Sequence, residues 1–366
     1  MTANARHRVT LIPGDGIGPD VMSAARSVLD ASGAEIEWDV RHAGAEEYER
    51  NGDPLPRSTL DSIAERGLAL KGPTATPVGS GFRSVNLALR RALDLYAGIR
   101  PAKAYAGVPG VAAGTDLVVV RMNHEDLYAG IEYPADSAEA GEIRDMVGRS
   151  HDVELTPDSG ISLKYLSRTQ AERLARRAFE YARDSHRTRV TVVHKASVMR
   201  ATDGVFRDAA IQVASNFPEI EFDGALVDTV CGDLARRRGG YDVLVLPTLY
   251  GDIVSDVAAG LVGGLGMAPG ANLGAEHAMF EPVHGSAPRH AGHNRANPIA
   301  AILSGAMLLR HVGEETAAQR VEDAVAVTVA AGRHTTYDLR SADREPAATT
   351  SEAADAVIAA LATGSK

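Results

Sequence analysis

A lone cysteine, Cys231, leaves the chain no intrachain disulfide and no cysteine-bound metal cluster, and it reads as a small interior hydrophobe. No apolar run approaches the roughly eighteen residues of a membrane span. The start, MTANARHRVT, lacks the apolar stretch of a secretory leader, so a cytoplasmic location is expected. A long basic block is missing too. With 38 Lys and Arg against 48 Asp and Glu, the net charge of −10 argues against nucleic acid as a partner, although local arginine clusters still suit small anions. No internal repeat is found.

What is present has the balance of a soluble globular protein: 366 residues, 45% hydrophobic and 23% charged, enough for two or three domains. Short aliphatic runs at 9–12, 68–71, 116–120, 189–193 and 242–246 read as strands. Helical periodicity is expected over about 21–31, 83–96, 169–183 and 317–331, with capping boxes at Thr169/Glu172 and Thr349/Glu352. Another helix is expected from Asp252, with Ile253, Val257, Gly260 and Leu261 on its apolar face, until the glycines at 263, 264 and 266 stop it. Strands alternating with helices make the class α/β. Residues 134–160 are polar and uneven, and read as an excursion from the body. Gly14, Gly16 and Gly18 do not keep the G-x-G-x-x-G spacing, so PGDGIGPD reads as a tight turn near a ligand.

Asp252 and Asp256 stand one helical turn apart, with about 5–6 Å between Cβ atoms, where their oxygens can converge on one hard cation. Taken alone, they read first as an N-cap and an acid favoured by the helix dipole. Asp228, after a strand segment, offers a third carboxylate. Arg90, Arg100 and Arg121, with Ser84 and Asn86, offer forked and neutral donors to a substrate bearing two or three carboxylates. Lys195, delivered with His194 by a strand end, suits a general base, and Tyr128 a proton donor.

The motifs IPGDGIGPD, KGPTATPVGSGFRSVNLALRRALDLYAGIRP, EDLYAGIE, VVHKASVMRATDGVF, YGDIVSDVAAGLVGGLGMAPGANLG and EPVHGSAPRHAG occur here in the order in which the isocitrate/isopropylmalate dehydrogenase family carries them. The chain resembles that family of metal-dependent, β-decarboxylating dehydrogenases over nearly its full length. The resemblance implies a two-domain α/β fold that is not a Rossmann fold. Residues 1–98 and 262–366 would form the larger domain, and 99–261 the smaller, with a clasp at about 130–162 used in dimerisation. It further implies a homodimer with shared sites. Asp252 and Asp256 of one subunit and Asp228 of the other would hold Mg²⁺ or Mn²⁺, with Lys195 as base and Tyr128 as acid.

Within the family, Ser84 and Asn86 resemble the residues that meet the distal carboxylate of isocitrate, where isopropylmalate users place apolar groups. An isopropyl group against unpaired donors is costly. The implied cofactor loop is His284, Gly285, Ser286, Ala287, Pro288, Arg289 and His290, joined by Asn297 and Tyr337. Arg289 stands where NAD-using relatives carry an acid, which implies NADP, with NAD as the alternative. Arg340 is a possible helper, while Ala296 and Ser341 fit the NADP pattern less well. One departure stands out. Where relatives read R-E-N-[ST]-E, this chain reads Arg121-Met122-Asn123-His124-Glu125. That implies either altered packing around isocitrate or a pocket adapted to a similar acid: homoisocitrate, isopropylmalate or a phosphonate analogue. A non-catalytic regulatory subunit is the rival reading, against which Tyr128, Lys195, Asp228, Asp252 and Asp256 are all present.

Overall fold

The computed structural model describes residues 6–77, 81–238, 240–340 and 346–363. The chain begins on β1 (His7–Ile12), crosses through α1 (Gly18–Asp30) to β2 (Ile36–Val40), then through α2 (Ala45–Asn51) and α3 (Arg57–Arg66) to β3 (Leu68–Lys71). These three strands are parallel. After α4 (Val85–Ala92), β4 (Ala97–Lys103) and β5 (Asp116–Met122) form an antiparallel pair. An excursion follows, in which β6 (Glu132–Tyr133) and β7 (Ile161–Ser162) make a separate two-stranded sheet around α5 (Ala138–Ser150). Parallel alternation resumes with α6 (Arg168–Asp184), β8 (Arg189–His194), α7 (Asp203–Ala214), β9 (Glu221–Leu226), α8 (Val227–Ala235), β10 (Val243–Leu246) and α9 (Thr248–Leu261). The antiparallel strands β11 (Pro269–Leu273) and β12 (Ala278–Pro282) return the chain to its first half, and α10 (Ile299–His311), α11 (Glu315–Ala331) and α12 (Thr350–Thr363) complete it.

Ten strands join in one sheet, ordered β2-β1-β3-β12-β11-β4-β5-β10-β8-β9. The domain boundary expected after residue 98 therefore falls inside β4, and hydrogen bonding runs across it unbroken. One face carries a single apolar layer that includes Leu70, Phe280, Ile99, Val120 and Met122, covered by α1, α6, α7, α10, α11 and α12. The opposite face is divided. Ile12, Ala69, Met279 and Leu89 form one cluster, and Val119, Leu244, Leu246, Val254 and Ala258 another. Strand residues point alternately to the two faces, so the neighbours of the first layer point into the gap between these clusters. Those neighbours are Lys71, Glu281, Arg100, Arg121 and Asn123. A break in the apolar covering thus becomes a polar trough.

Several sequence expectations need correction. The helix expected from Asp252 starts at Thr248, directly after Pro247, and buries Gly251, Val254, Ser255 and Ala258. Ile253, assigned to its inner face, is 51% exposed. The shift matters because Asp252 becomes an interior helical residue and not an N-cap. The helix expected over 83–96 runs only from Val85 to Ala92, because Asp94 turns the chain with a φ of 49°. Ser167, not Thr169, caps α6, its hydroxyl accepting from the Gln170 N–H at 3.2 Å. Conversely, the Thr349/Glu352 capping box is present in both directions. The whole of α10 escaped the sequence reading, since a helix buried on nearly every side has no amphipathic signature.

The glycine turn after β1 is held by Asp15, which is buried and accepts backbone N–H groups from Ala45, Glu46 and Ala75 at 2.7–3.0 Å. Asp15→Ala leaves these donors unpaired and is expected to cost about 2–3 kcal/mol. Urea unfolding should show a lower midpoint at an unchanged slope.

Candidate active site

The polar trough contains a cavity of about 410 Å³. Helix α4 supplies Ser84, Asn86 and Arg90 to its wall, β4 supplies Arg100, β5 Arg121, and α9 Asp252. Tyr128 enters from the single 3₁₀ turn Asp126–Ala129, whose carbonyls at 128 and 129 accept from Arg91 of α4 at 3.0 and 2.7 Å. Ser84 caps α4, accepting weakly from the Leu87 N–H at 3.4 Å, and Asn86 accepts the Thr74 hydroxyl at 3.0 Å.

Asp252 is the hub. One of its oxygens accepts from Arg121 at 2.5 Å and Arg100 at 3.1 Å, and the other accepts the Tyr128 hydroxyl at 2.6 Å. Burial opposes its ionisation, but Arg121 and Arg100 outweigh that effect and hold the carboxyl below its usual range. Burial and the bond it donates to Asp252 raise the Tyr128 phenol, so Tyr128 keeps its proton at neutral pH. Burial, then Arg100 and Arg90, pushes Arg121 down to about 9, and burial followed by Arg90 lowers Arg100. Arg100 and Arg121 are thus held charged in a poorly solvated place, each beside further guanidinium groups.

Their spare donors point the same way. The Nε of Arg90 and Nη2 of Arg121 are buried without a hydrogen-bond partner among the described residues, each at a cost of about 1–3 kcal/mol. An anion bearing several carboxylates would satisfy both the charge and the donors.

Below the arginines lies a network absent from the sequence reading. Glu281 accepts from Lys71 at 2.7 Å, from Arg90 at 2.9 Å and from Asn272 at 2.8 Å, and Asn123 donates to Asn272 at 2.9 Å. Lys71 is 0% exposed. Burial would raise the Glu281 carboxyl, yet Lys71 and Arg90 hold it well below its usual range. The available signal was a lysine and a glutamate ending aliphatic strands, but nothing pairs positions 71 and 281 without the sheet.

Asp256 lies one turn beyond Asp252, 4.0 Å from Arg100. Burial raises its pKa, Arg100 offsets this in part, and Asp252 adds to it. Two carboxylates one turn apart on one helical face fit a divalent cation. Asp228 does not join them within the chain. It pairs instead with Lys195 at 2.5 Å, its side chain 61% exposed, and neither residue lines the cavity. Among the described residues no three metal-ligating side chains gather in one chain.

The implied cofactor loop borders the cavity through His284 and Gly285. The His284 Nε2 is buried without a partner among the described residues, and burial lowers the ring's pKa, leaving a neutral imidazole. The glycine turn after β1 steadies this loop: the Ile17 N–H donates to the Ser286 carbonyl at 2.9 Å, and a Cβ at Gly16 would meet that oxygen at 2.1 Å. Ala287, Pro288 and Arg289 are exposed, and His290 lies 5.9 Å from the Tyr337 ring, which Arg295 covers at 4.6 Å. Asn297 donates to Asp338 at 2.9 Å and accepts the Ile299 N–H at 3.0 Å, so its side chain braces the segment carrying Tyr337. Arg340 donates to the Pro346 carbonyl, and Ser341 lies outside the described residues.

At Met122 and His124 the packing alternative is the one the geometry favours. Met122 packs in the apolar layer on the other face of the sheet, and His124 contacts the Arg90 carbonyl at 3.1 Å; neither lines the cavity. The departure at these positions is therefore one of packing.

Residues 8–357 match the family described as isocitrate/isopropylmalate dehydrogenase. An isocitrate dehydrogenase [NADP] of Archaeoglobus fulgidus is 40% identical, the match covering 94% of this chain and 90% of that protein. The mitochondrial isocitrate dehydrogenase [NAD] subunit alpha of Pongo abelii is 41% identical over 90% of this chain and 85% of its own. The crystal structure of isocitrate dehydrogenase from Methylococcus capsulatus superposes with a TM-score of 0.88 at 43% identity, covering 97% of this chain and 99% of that one.

The electrostatics of Asp256 give a test. Its folded-state pKa exceeds the unfolded value, so its favourable contribution is complete below the unfolded pKa and lost as pH rises through the folded one. Asp256→Asn should therefore raise the metal-free melting temperature at neutral pH and abolish the further rise caused by Mn²⁺, both read by thermal unfolding.

Proposed function

The chain belongs to the isocitrate/isopropylmalate dehydrogenase family, and from that premise we propose that it oxidises and decarboxylates isocitrate to 2-oxoglutarate and CO₂, passing hydride to NADP. The observation that carries the substrate reading is the cavity in which Arg90, Arg100 and Arg121 converge with two buried donors that have no partner among the described residues. Ser84 and Asn86 complete it with neutral polar groups suited to a further carboxylate. An isopropyl group there would leave these donors unpaired.

Catalysis by a homodimer is part of the proposal. Asp252 and Asp256 of one subunit, with Asp228 of the other, would hold Mg²⁺ or Mn²⁺. When bound, the cation supplies the positive charge that eases loss of the hydroxyl proton and stabilises the enolate left after decarboxylation. The exposed Lys195/Asp228 pair and the outward face of α9 around Ile253 support the sharing of sites, because a second copy would cover both. Domains formed by residues 1–98 with 262–366 and by 99–261, the latter bearing the clasp, follow from the same reading.

The roles divide by proton affinity and geometry. The arginines orient the substrate carboxylates; Lys195 of the partner subunit accepts the hydroxyl proton as hydride leaves the carbon that bears that hydroxyl. Tyr128, kept protonated by burial and by Asp252, returns a proton to the carbon that has lost CO₂. The exposed Arg289, with His290 and Tyr337 close together, supports recognition of a 2′-phosphate and hence NADP over NAD.

Reduced-cofactor absorbance with purified chain, Mn²⁺ and isocitrate tests the reading. Turnover is expected with preference for NADP⁺; Arg289→Asp should lower kcat/KM for NADP⁺ by about 10- to 100-fold while sparing NAD⁺. Lys195→Met should reduce kcat by about 100-fold or more. No turnover of isocitrate by folded, metal-binding dimer would refute the substrate assignment.

A further inference from the structure

Outside the cavity, a second set of charges is buried where three segments meet. Asp203, the first residue of α7, is 0% exposed. One of its oxygens accepts the Lys195 backbone N–H at 2.7 Å, and the other accepts from the Lys164 ammonium at 2.6 Å. Asp126 lies across that ammonium, with one oxygen 3.8 Å from it and the other accepting the Leu249 N–H, in the first turn of α9, at 3.0 Å. Tyr250 closes the cluster, its ring centroid 4.6 Å from the ammonium and its hydroxyl 3.5 Å away. Asp126 also holds a left-handed φ of 68°, a conformation retained by a non-glycine residue when its surroundings over-determine it.

Two buried carboxylates thus share one ammonium. Each carboxylate fixes one backbone amide, and those amides lead to different parts of the proposed machinery. Tyr128 lies in the same turn as Asp126, Asp252 follows Leu249 by less than one helical turn, and Lys195 is itself the residue that Asp203 holds.

We propose that Lys164, bridging Asp126 and Asp203, is a positioning residue that sets Tyr128 and the start of α9 relative to Lys195. The proposal rests on the isocitrate reading and its shared sites. Tyr128 and Asp252 would serve one cavity of the dimer and Lys195 the other, so the bridge couples the geometry of the two sites. Without the ammonium, the carboxylates repel each other in a poorly solvated place and release the amides they hold.

Hydrogen exchange and kinetics on the full chain test this. In Lys164→Met, the amides of Lys195 and Leu249 should exchange about tenfold faster or more, while those of the central strands β5 and β10 keep wild-type rates. The value of kcat should fall about tenfold or more, with KM for isocitrate within about threefold. The solvent deuterium isotope effect on kcat should rise, because proton transfer becomes harder while binding does not. Lys164→Arg keeps the charge and should recover both exchange and turnover. If Lys164→Met does not fold, the charge-compensated pair Asp126→Asn with Lys164→Met decides, read on the Lys195 amide and the isotope effect. Wild-type exchange at Lys195, or a kcat loss without a larger isotope effect, overturns the proposal. The exchange measurement needs no turnover, so a wild-type chain inactive on isocitrate would refute the functional reading and leave the bridge to be judged on its amides.

Discussion

Three guanidinium groups stand in a gap in the apolar covering of one sheet, and the site depends on how their charge is balanced. Asp252 from α9 meets Arg100 and Arg121 from above, while Glu281, in company with Lys71, holds Arg90 from below. The balance is incomplete: Arg121 loses proton affinity and two buried donors remain unpaired among the described residues. A pocket that is short of negative charge is prepared for a polyanion, because binding supplies what the fold withholds.

Helix α9 ties this balance to the rest of the molecule. Its inner face packs through Gly251, Val254 and Ala258, and a Cβ at Gly251 would lie 2.6 Å from the Arg121 side chain, so glycine allows the helix and the guanidinium stem to approach. The Arg121 Nε donates to the Thr248 carbonyl at 2.9 Å, and Asp126 accepts the next amide. The helix that carries both aspartates is therefore anchored at its start by the groups whose geometry it must complete. On its outer side Ile253 stands exposed beside Asp256, as the proposed dimer requires.

The α/β class, the strands β1, β3, β5, β8 and β10, the Asp252/Asp256 spacing and the Thr349/Glu352 capping box were legible because each depends on residues near in sequence. So was the family, through several long motifs in order. Errors arose where the governing contact was distant. Ile253 looked like an inner residue because periodicity reports an apolar face and not what covers it. Met122 and His124 left packing and pocket both open because they flank Arg121, and it is the two-residue alternation of β5 that sends Met122 to the other face.

The sequence by itself determined the chemistry available: carboxylates one helical turn apart, a cluster of arginines, a lysine at a strand end, and the family these belong to. Helical spacing and strand alternation act over a few bonds, so such features can be read along the chain. Only the tertiary structure decided that Glu281 neutralises Lys71 and Arg90, that Asn297 braces an interior segment, and that Lys164 serves two carboxylates from separate turns. Coulombic attraction and desolvation depend on distance through space and on exclusion of water, and both are set by the order of strands in the sheet.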